Sequence, residues 1–194
     1  FEGVGASIAA NGTWASVEGV MGTAYGDYID ATASTAGLHI DAGAGDDYIY
    51  GSAFDDAVVL GEGNDQLFAG EGIDTAIFGG NVSEYRFDTS MGFLFVTRHA
   101  GYDQDALYYV DMFQFGDGLF DLTQLLSLPV FGTSDGDVIN GDVRGETIDA
   151  RDGHDRVEAG GGNDTVYGGL GNDFLAGDGG DDTIFGGDGD ELEE

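Results

Sequence analysis

The stretch AGGGNDTVYGGLGNDFLAGDGGDDTIF, residues 159–185, decides the architecture of this chain. Divided into units of nine, it has Gly at the fourth position, Asp at the sixth and a branched aliphatic residue at the eighth. The same phase extends back to residue 132 and on to residue 194, and a second block occupies residues 42–77. A fixed period of this kind indicates a repeat protein in which each unit stacks on its neighbours.

Two residue series define the repeat. The sixth-position acidic residues are Asp47, Asp56, Asp65, Asp74, Asp137, Glu146, Asp155, Asp164, Asp173, Asp182 and Glu191. The eighth-position aliphatic residues are Ile49, Val58, Leu67, Ile139, Ile148, Val157, Val166, Leu175 and Ile184, with a weaker Ala76. Upstream, Asp27 and Ile29 form one more unit, but two extra residues follow it and Leu38 stands where the next acidic residue should be.

The nine-residue unit divides into a glycine-rich turn and a short strand. Glycine permits the positive φ of a tight turn and leaves carbonyl oxygens accessible. The strand points its eighth-position side chain inward and both neighbours outward. Two units therefore make one coil, with two parallel sheets enclosing an aliphatic column. Since no unit can bury its aliphatic residue alone, stability requires several stacked units.

Stacking also brings acidic residues of equal phase together. They recur at about 4.8 Å, the spacing between strands, where like charges repel by about 1 kcal/mol in water and more near a protein surface. A divalent cation between successive turns would reverse the sign of this interaction. Carboxylates and turn carbonyls suit Ca²⁺ better than Mg²⁺, and ligands for transition metals are nearly absent. The alternative, that Asp only shapes the turns, does not explain its fixed phase.

Composition excludes several classes of protein. With 38 acidic and 5 basic residues the formal net charge is −33, so nucleic acid and anionic membranes are not expected partners. The 12% aromatic content argues against disorder under all conditions, although such a charge opposes compaction without a cation. Cysteine is absent, and no apolar run approaches the ~20 residues of a membrane span. No signal peptide is evident, and because the chain opens at Phe1 we expect a piece of a larger polypeptide.

GGLGNDFLAGDGGDDTIFGG and GEGNDQLFAGEGIDTAIFGG resemble the nonapeptide repeats of the RTX (repeats-in-toxin, hemolysin-type calcium-binding) family of type I secreted bacterial proteins. The resemblance implies right-handed parallel β-rolls that bind several Ca²⁺ ions. It further implies that the chain leaves the cell unfolded through the type I secretion machinery and folds outside on binding calcium. It also implies that each ion lies between turns n and n+2, held by sixth-position Asp residues and turn carbonyls.

The ligands implied by the resemblance are sixth-position Asp residues and turn glycines. They are Asp47, Asp56, Asp65, Asp74, Asp137, Asp155, Asp164, Asp173, Asp182, Gly43, Gly45, Gly61, Gly63, Gly70, Gly72, Gly160, Gly162, Gly169, Gly171 and Gly180. The best Asp pairs are 47 with 65, 56 with 74, 155 with 173, and 164 with 182. The pattern is broken by Glu146, whose arm is longer, by Arg144 in place of a turn glycine, and by Arg151, His154 and Arg156 nearby.

The expected fold class is all-β, with two β-roll blocks joined by a capping segment. We expect a lead-in with Trp14 over residues 1–21, the first roll over 22–77, a β-rich cap over 78–130, and the second roll, truncated at its C-terminus, over 131–194. YRFD and FLFVTR predict a hairpin, and Asp121 with Gln124 a helix cap. The aromatic residues expected to cover the first roll are Phe78, Tyr85, Phe87, Phe93, Phe95, Phe113 and Phe115. A carbohydrate site on these rings is the alternative.

Catalysis is not expected, because His39, His99 and His154 are scattered and the carboxylates follow the repeat instead of converging as a pair. Two roles remain open. The chain is part of a secreted structural protein, such as a surface layer, adhesin or filament, with self-assembly or a cell-surface partner. Alternatively, it is a calcium-dependent folding and secretion module of a secreted enzyme or toxin. Two blocks with an intervening segment favour the first role; neither role involves membrane insertion.

Val166 tests the inward column. Val166→Asp would bury a charge without a partner, which is far more costly than burying a neutral polar group. We expect the second block to stay unfolded even in saturating calcium, as measured by far-UV circular dichroism. A variant with the full β signal would show that the eighth position is not core.

Overall fold

The computed structural model describes residues 7–9, 18–90, 93–98, 103–189 and 192–193. The chain divides into two compact units, a first roll unit, Phe1–Leu126, and a second roll unit, Ser127–Glu194. In the described residues the regular structure is β-strand except for one short α-helix and one 3₁₀ turn, which confirms the predicted all-β class. Neither of these helical segments is long and apolar enough to cross a membrane.

Each coil of the first roll unit contributes one short strand to each of two sheets. The strands are β1 Ser7–Ala9, β2 Gly19–Thr23, β3 Tyr28–Asp30, β4 His39–Gly43, β5 Tyr48–Tyr50, β6 Ala57–Val59, β7 Gln66–Phe68, β8 Thr75–Ile77, β9 Tyr85–Ser90, β10 Phe93–Arg98, β11 Gln104–Tyr108, β12 Met112–Phe115 and β13 Gly118–Asp121. One sheet has the order β1-β3-β5-β7-β11-β10-β9 and the other β13-β12-β8-β6-β4-β2. The alternation of strands between the sheets is the roll that the repeat predicts.

The second roll unit repeats this plan with parallel pairs throughout its described strands. Its strands are β14 Val130–Phe131, β15 Val138–Asn140, β16 Thr147–Asp149, β17 Arg156–Glu158, β18 Thr165–Leu170, β19 Phe174–Ala176, β20 Thr183–Asp188 and β21 Leu192–Glu193. They form the sheets β14-β16-β18-β20 and β15-β17-β19-β21. The register places Val166 between Ile148 and Ile184, so equal phases lie side by side.

The eighth-position residues form the core of both units. Ile49, Val58, Ile148, Val166 and Leu175 are fully buried, whereas the residues on either side in each strand are more exposed. Small residues at the first position of several units, such as Ala69 and Ala159, are buried as well. The buried core therefore combines branched eighth-position side chains with small first-position residues.

The segment between the repeat blocks extends the first roll. Strand β11 pairs in parallel with β7, and β12 with β8, so residues 104–115 add a further coil. The predicted hairpin is confirmed, since β10 pairs antiparallel with both β9 and β11. The second unit begins at Ser127, and β14 lies across the boundary predicted at residues 130/131. Trp14, like most of the predicted lead-in 1–21, lies outside the described residues.

Aromatic side chains gather where the antiparallel strands meet the roll. The Phe78 and Phe115 rings are stacked with centroids 5.0 Å apart, and Tyr85 and Phe87 also pack on Phe115. Phe113 and Phe115 are buried. The aromatic residues of the segment therefore pack on one another, and their role as a cap stays a prediction.

A 3₁₀ turn, Val82–Glu84, leads into β9, and helix α1, Leu122–Leu126, follows β13. The helix has the predicted cap. The Asp121 N–H donates to Gln124 Oε1 and the Gln124 N–H donates to Asp121 Oδ1, each at 2.8 Å.

Gly61 tests the turn conformation. Its φ is +103° and a Cβ would lie 1.7 Å from the Gly43 carbonyl oxygen, whereas a Cβ on Gly79 meets nothing within 4 Å. We expect Gly61→Ala to lower the free energy of unfolding in saturating calcium by more than the roughly 1–2 kcal/mol of the backbone strain. Gly79→Ala should be near neutral. Equal urea midpoints for the two variants would contradict the assignment.

Candidate metal centre

Glycines at the second and fourth positions of the turns share one backbone conformation. All eleven glycines predicted as ligands have a φ between +96° and +142°. Gly153, Gly187 and Gly189 stand at the same two positions and also have positive φ, although the predicted set omits them. Arg151 and Asp178 take a left-handed conformation at second positions where glycine is missing. The turn geometry is therefore kept at these two second positions without glycine, whereas Ser52, Thr133 and Asp142 do not have positive φ there.

The sixth-position carboxylates lie beneath these turns and join neighbouring coils. Asp65 Oδ1 accepts the backbone N–H of Asp47 at 2.8 Å, eighteen residues earlier. The same bond links the other predicted pairs, with distances of 2.8 Å from Asp56 N to Asp74, 3.0 Å from Asp155 N to Asp173, and 2.9 Å from Asp164 N to Asp182. Asp137 also donates its N–H to Asp155. The structure thus brings together every predicted pair.

The second oxygen of most of these carboxylates has no partner. Among the described residues, a buried Oδ2 atom without a hydrogen bond occurs in Asp47, Asp65, Asp74, Asp155, Asp164 and Asp173. These side chains are at most 3% exposed. A buried carboxylate oxygen without a hydrogen bond is strongly unfavourable, and a cation would satisfy it. The residues present therefore fit a metal ion between the turns.

Burial also raises the pKa of these carboxyl groups. Burial raises the pKa of Asp65 to about 7, against the lowering effect of the Asp47 backbone N–H, and the Asp47 charge raises it further. For the same reason the pKa values of Asp47 and Asp74 rise to about 6. The pKa values of Asp155 and Asp164 are also raised, mainly by burial. The metal-free fold therefore favours protonated carboxyls, whereas a bound cation favours ionised ones.

The donor set indicates which ion would bind. In the part of the chain that the structure describes, no three Asp, Glu, His or Cys side chains converge on one point. Each ion would therefore be held by one or two sixth-position carboxylates together with turn carbonyls and water. An irregular set of oxygen ligands of this kind suits Ca²⁺. Calcium would supply positive charge at the unpaired carboxylate oxygens.

Two further carboxylates continue the series beyond the repeat. Asp105 Oδ1 accepts the Asp65 N–H at 3.0 Å, and Asp111 Oδ2 accepts the Asp74 N–H at 2.9 Å. Burial raises the pKa of Asp105 to about 8, and a neighbouring carboxylate oxygen, Asp103 Oδ1, is buried without a hydrogen bond. Sequence analysis missed both residues. Their signal is an acidic residue two places before a buried Leu107 or Phe113.

The arginines that break the pattern have partners in the structure. Arg144 forms ion pairs with Asp142 at 2.6 Å and Glu146 at 3.5 Å. The Arg151 guanidinium lies over the Phe131 ring and that of Arg156 over Phe174. These contacts account for their positions without a role in catalysis or metal binding.

A parallel β-roll with acidic, glycine-rich turns defines a class of calcium-binding repeat protein, and comparison with known families agrees. The model of the RTX calcium-binding nonapeptide repeat matches four times, at residues 40–76, 131–166, 140–175 and 167–191. Together the matches cover just over half of the chain. The chain therefore belongs to the family with RTX calcium-binding nonapeptide repeats, which occur in type I secreted proteins.

The comparisons with individual proteins are less informative. No curated protein matches the chain. Among solved structures, the extracellular lipase LipA from Serratia marcescens resembles it with 15% sequence identity and a TM-score of 0.41, over 82% of this chain. The chain spans 32% of that lipase.

The raised pKa values predict how pH acts on the metal-free chain. Well above their raised pKa values, these carboxyls are ionised in both states, so the folded state bears the full cost of burying charge. Between about pH 8, the raised pKa of Asp105, and the ordinary value near 4, the folded state binds more protons, so stability rises as pH falls. We expect β signal in chelator to increase between pH 7.5 and 5.5, while the calcium midpoint moves to higher concentration.

Two charge-matched variants separate this effect from the overall fall in net charge. Asp65→Asn removes a buried carboxyl group whose pKa is raised, and it should reduce the pH dependence of the β signal in chelator. Asp88→Asn removes the same charge at an exposed position and should leave it unchanged. Loss of β signal on acidification of the wild-type chain, without light scattering from aggregates, would contradict the prediction.

Proposed function

We propose that this chain is an extracellular segment of a larger type I secreted protein, and that Ca²⁺ binding between its turns drives its folding. One observation gives this proposal its strongest support. Six sixth-position carboxylates are buried with one oxygen bonded to the neighbouring coil and the other without a partner. This arrangement is costly without a cation and favourable with one.

Repulsion between acidic residues favours the unfolded state of the metal-free chain. The net charge of −33 opposes compaction, and stacking concentrates part of it in columns of buried carboxylates. Extracellular calcium-binding modules work at about 10⁻⁴–10⁻³ M, far above the free calcium of a cytosol. The proposed sequence of events is export of the unfolded chain followed by folding outside the cell.

Binding should be cooperative because each carboxylate serves two coils. Asp173 holds the Asp155 N–H with Oδ1, while its Oδ2 is free for a cation. An ion at this position therefore fixes the coil that carries Asp173 and the coil before it. Since neighbouring ions share a coil, filling one position orders ligands for the next.

Two settings for this segment are retained. A structural protein, such as a surface layer, adhesin or filament, is favoured because the chain carries two roll units, each with a core and sheets of its own. The alternative is a folding and secretion module of a secreted enzyme or toxin. We assign no catalysis to the chain itself, since its carboxylates follow the coil spacing.

A calcium titration of the chain tests the proposal. We expect a cooperative gain of β signal in far-UV circular dichroism with calcium, and little change with equal magnesium. Light scattering on the same samples separates the settings, because a structural protein should assemble and a module should remain monomeric. A chain that is fully folded at pH 7.5 in chelator and unchanged by calcium would refute calcium-driven folding.

A further inference from the structure

Not every sixth-position carboxylate has an unpaired oxygen. Asp56 Oδ2 accepts the backbone N–H of Ser52 at 2.6 Å, and Asp137 Oδ2 accepts that of Thr133 at the same distance. In both turns the donor is the second-position residue, four places before the carboxylate. Here the protein itself supplies the hydrogen that the unpaired Oδ2 atoms lack.

The second-position hydroxyl completes each of these turns. Ser52 Oγ donates to Asp56 Oδ1 at 3.1 Å and Thr133 Oγ1 donates to Asp137 Oδ2 at 3.0 Å. Each hydroxyl also accepts the N–H of the fourth-position residue at 3.1 Å, from Phe54 in the first turn and from Asp135 in the second. These turns therefore close without glycine at either position.

Two further turns follow the same plan. The Thr23 N–H donates to Asp27 Oδ2 at 2.5 Å and its hydroxyl to Asp27 Oδ1 at 3.0 Å. In the last case the Asp142 N–H donates to Glu146 at 3.2 Å, and the Asp142 carboxylate accepts the Arg144 N–H as the hydroxyls do elsewhere. We call these four the self-capped turns: those of Asp27, Asp56, Asp137 and Glu146.

The self-capped turns have a common place in the stack. In each unit the sixth-position residues form two columns, which the coil-to-coil bonds define as Asp27-Asp47-Asp65-Asp105, Leu38-Asp56-Asp74-Asp111, Asp137-Asp155-Asp173 and Glu146-Asp164-Asp182. In three columns a self-capped carboxylate is the first acidic residue, and in the fourth Asp56 is the first acidic residue after Leu38. By register Glu18 precedes Leu38 in that column, and residues 10–17 lie outside the described part.

Position in the column explains the difference. A carboxylate within a column bonds to the preceding coil, whose turn carbonyls and carboxylate can complete the shell of an ion. A self-capped carboxylate follows no turn with an acidic sixth-position residue, so an ion there would lack a second carboxylate. Asp56 follows the turn of Leu38, which contributes no carboxylate. Internal donors are then the means to satisfy the buried oxygen.

We propose that the four self-capped turns are metal-independent first rungs, and that calcium binds only at the carboxylates that follow them. This inference rests on the proposed function. It removes the carboxylates of Asp56 and Asp137 from the ligands predicted from sequence. A self-capped turn still lies one coil before the next carboxylate, such as Asp74 after Asp56, so its carbonyls are available to an ion there. Each run of successive acidic rungs thus begins with a self-capped rung that needs no ion.

Matched substitutions in the full chain test the inference. Asp→Asn removes the charge and keeps one oxygen to accept the N–H of the preceding coil. By isothermal titration calorimetry we expect Asp74→Asn and Asp155→Asn each to lose one calcium ion per chain. Asp56→Asn and Asp137→Asn, in the same two columns, should bind the wild-type number. Loss of an ion in either of the latter variants, or no loss in Asp74→Asn or Asp155→Asn, overturns the inference.

A second measurement covers variants that do not fold. If a variant fails to reach the wild-type β signal in saturating calcium, the ions are located in calcium-loaded wild-type crystals from anomalous diffraction. We expect density beside Oδ2 of Asp74 and Asp155 and none beside Oδ2 of Asp56 and Asp137. Density beside either of the last two overturns the inference alone. No calcium anywhere in the chain would instead refute the proposed function.

Discussion

The structure depends on a carboxylate that both aligns the coils and resists their stacking. One oxygen of each sixth-position Asp accepts the N–H of the preceding coil, which sets the position of that coil. The same bond draws the next carboxylate to within a strand spacing and buries it. Asp65 shows both effects, since it is bonded to Asp47 through Oδ1 and left unsatisfied at Oδ2. The same carboxylate therefore aligns the coils and introduces the repulsion between them. Only a bound cation allows the aligned coils to stack without that repulsion.

This bond, more than the count of nine, holds the roll in register. Asp27 and Asp47 are twenty residues apart, yet the Asp27 N–H still donates to Asp47 at 2.7 Å and Ile29 still lies beside Ile49. The two extra residues are accommodated between the strands. The bond from Asp65 to Asp105 spans forty residues and accommodates a whole hairpin. Insertions are tolerated where the sixth-position carboxylate can still accept the backbone N–H of the preceding coil.

Contacts can be predicted from the sequence best where the spacing of the residues is constant. Eighteen-residue neighbours repeat the same contact, so the inward column and the pairs such as Asp155 with Asp173 could be predicted from phase alone. Asp105 and Asp111 could not, because their partners are 40 and 37 residues away and no period connects them. The added coil of β11 and β12 could not be predicted from the sequence for the same reason.

Substitutions at glycine positions were also ambiguous in the sequence. Ser52 and Thr133 look like decay of the repeat, but in the structure their hydroxyls and amides bond to the carboxylate four residues later. Arg151 keeps the left-handed turn instead. The same deviation from consensus thus has different physical outcomes. Phase alone carries no information on that choice.

The parallel and antiparallel parts of the first roll unit differ in how they can vary during evolution. A parallel coil contacts only the coils before and after it, so duplication of one eighteen-residue segment would add a rung and leave every other contact intact. Strand β10 pairs antiparallel on both sides, and duplicating it would break the match between its two partners. Changes in repeat number should therefore accumulate between a column's first rung and this hairpin, while the hairpin itself keeps its length.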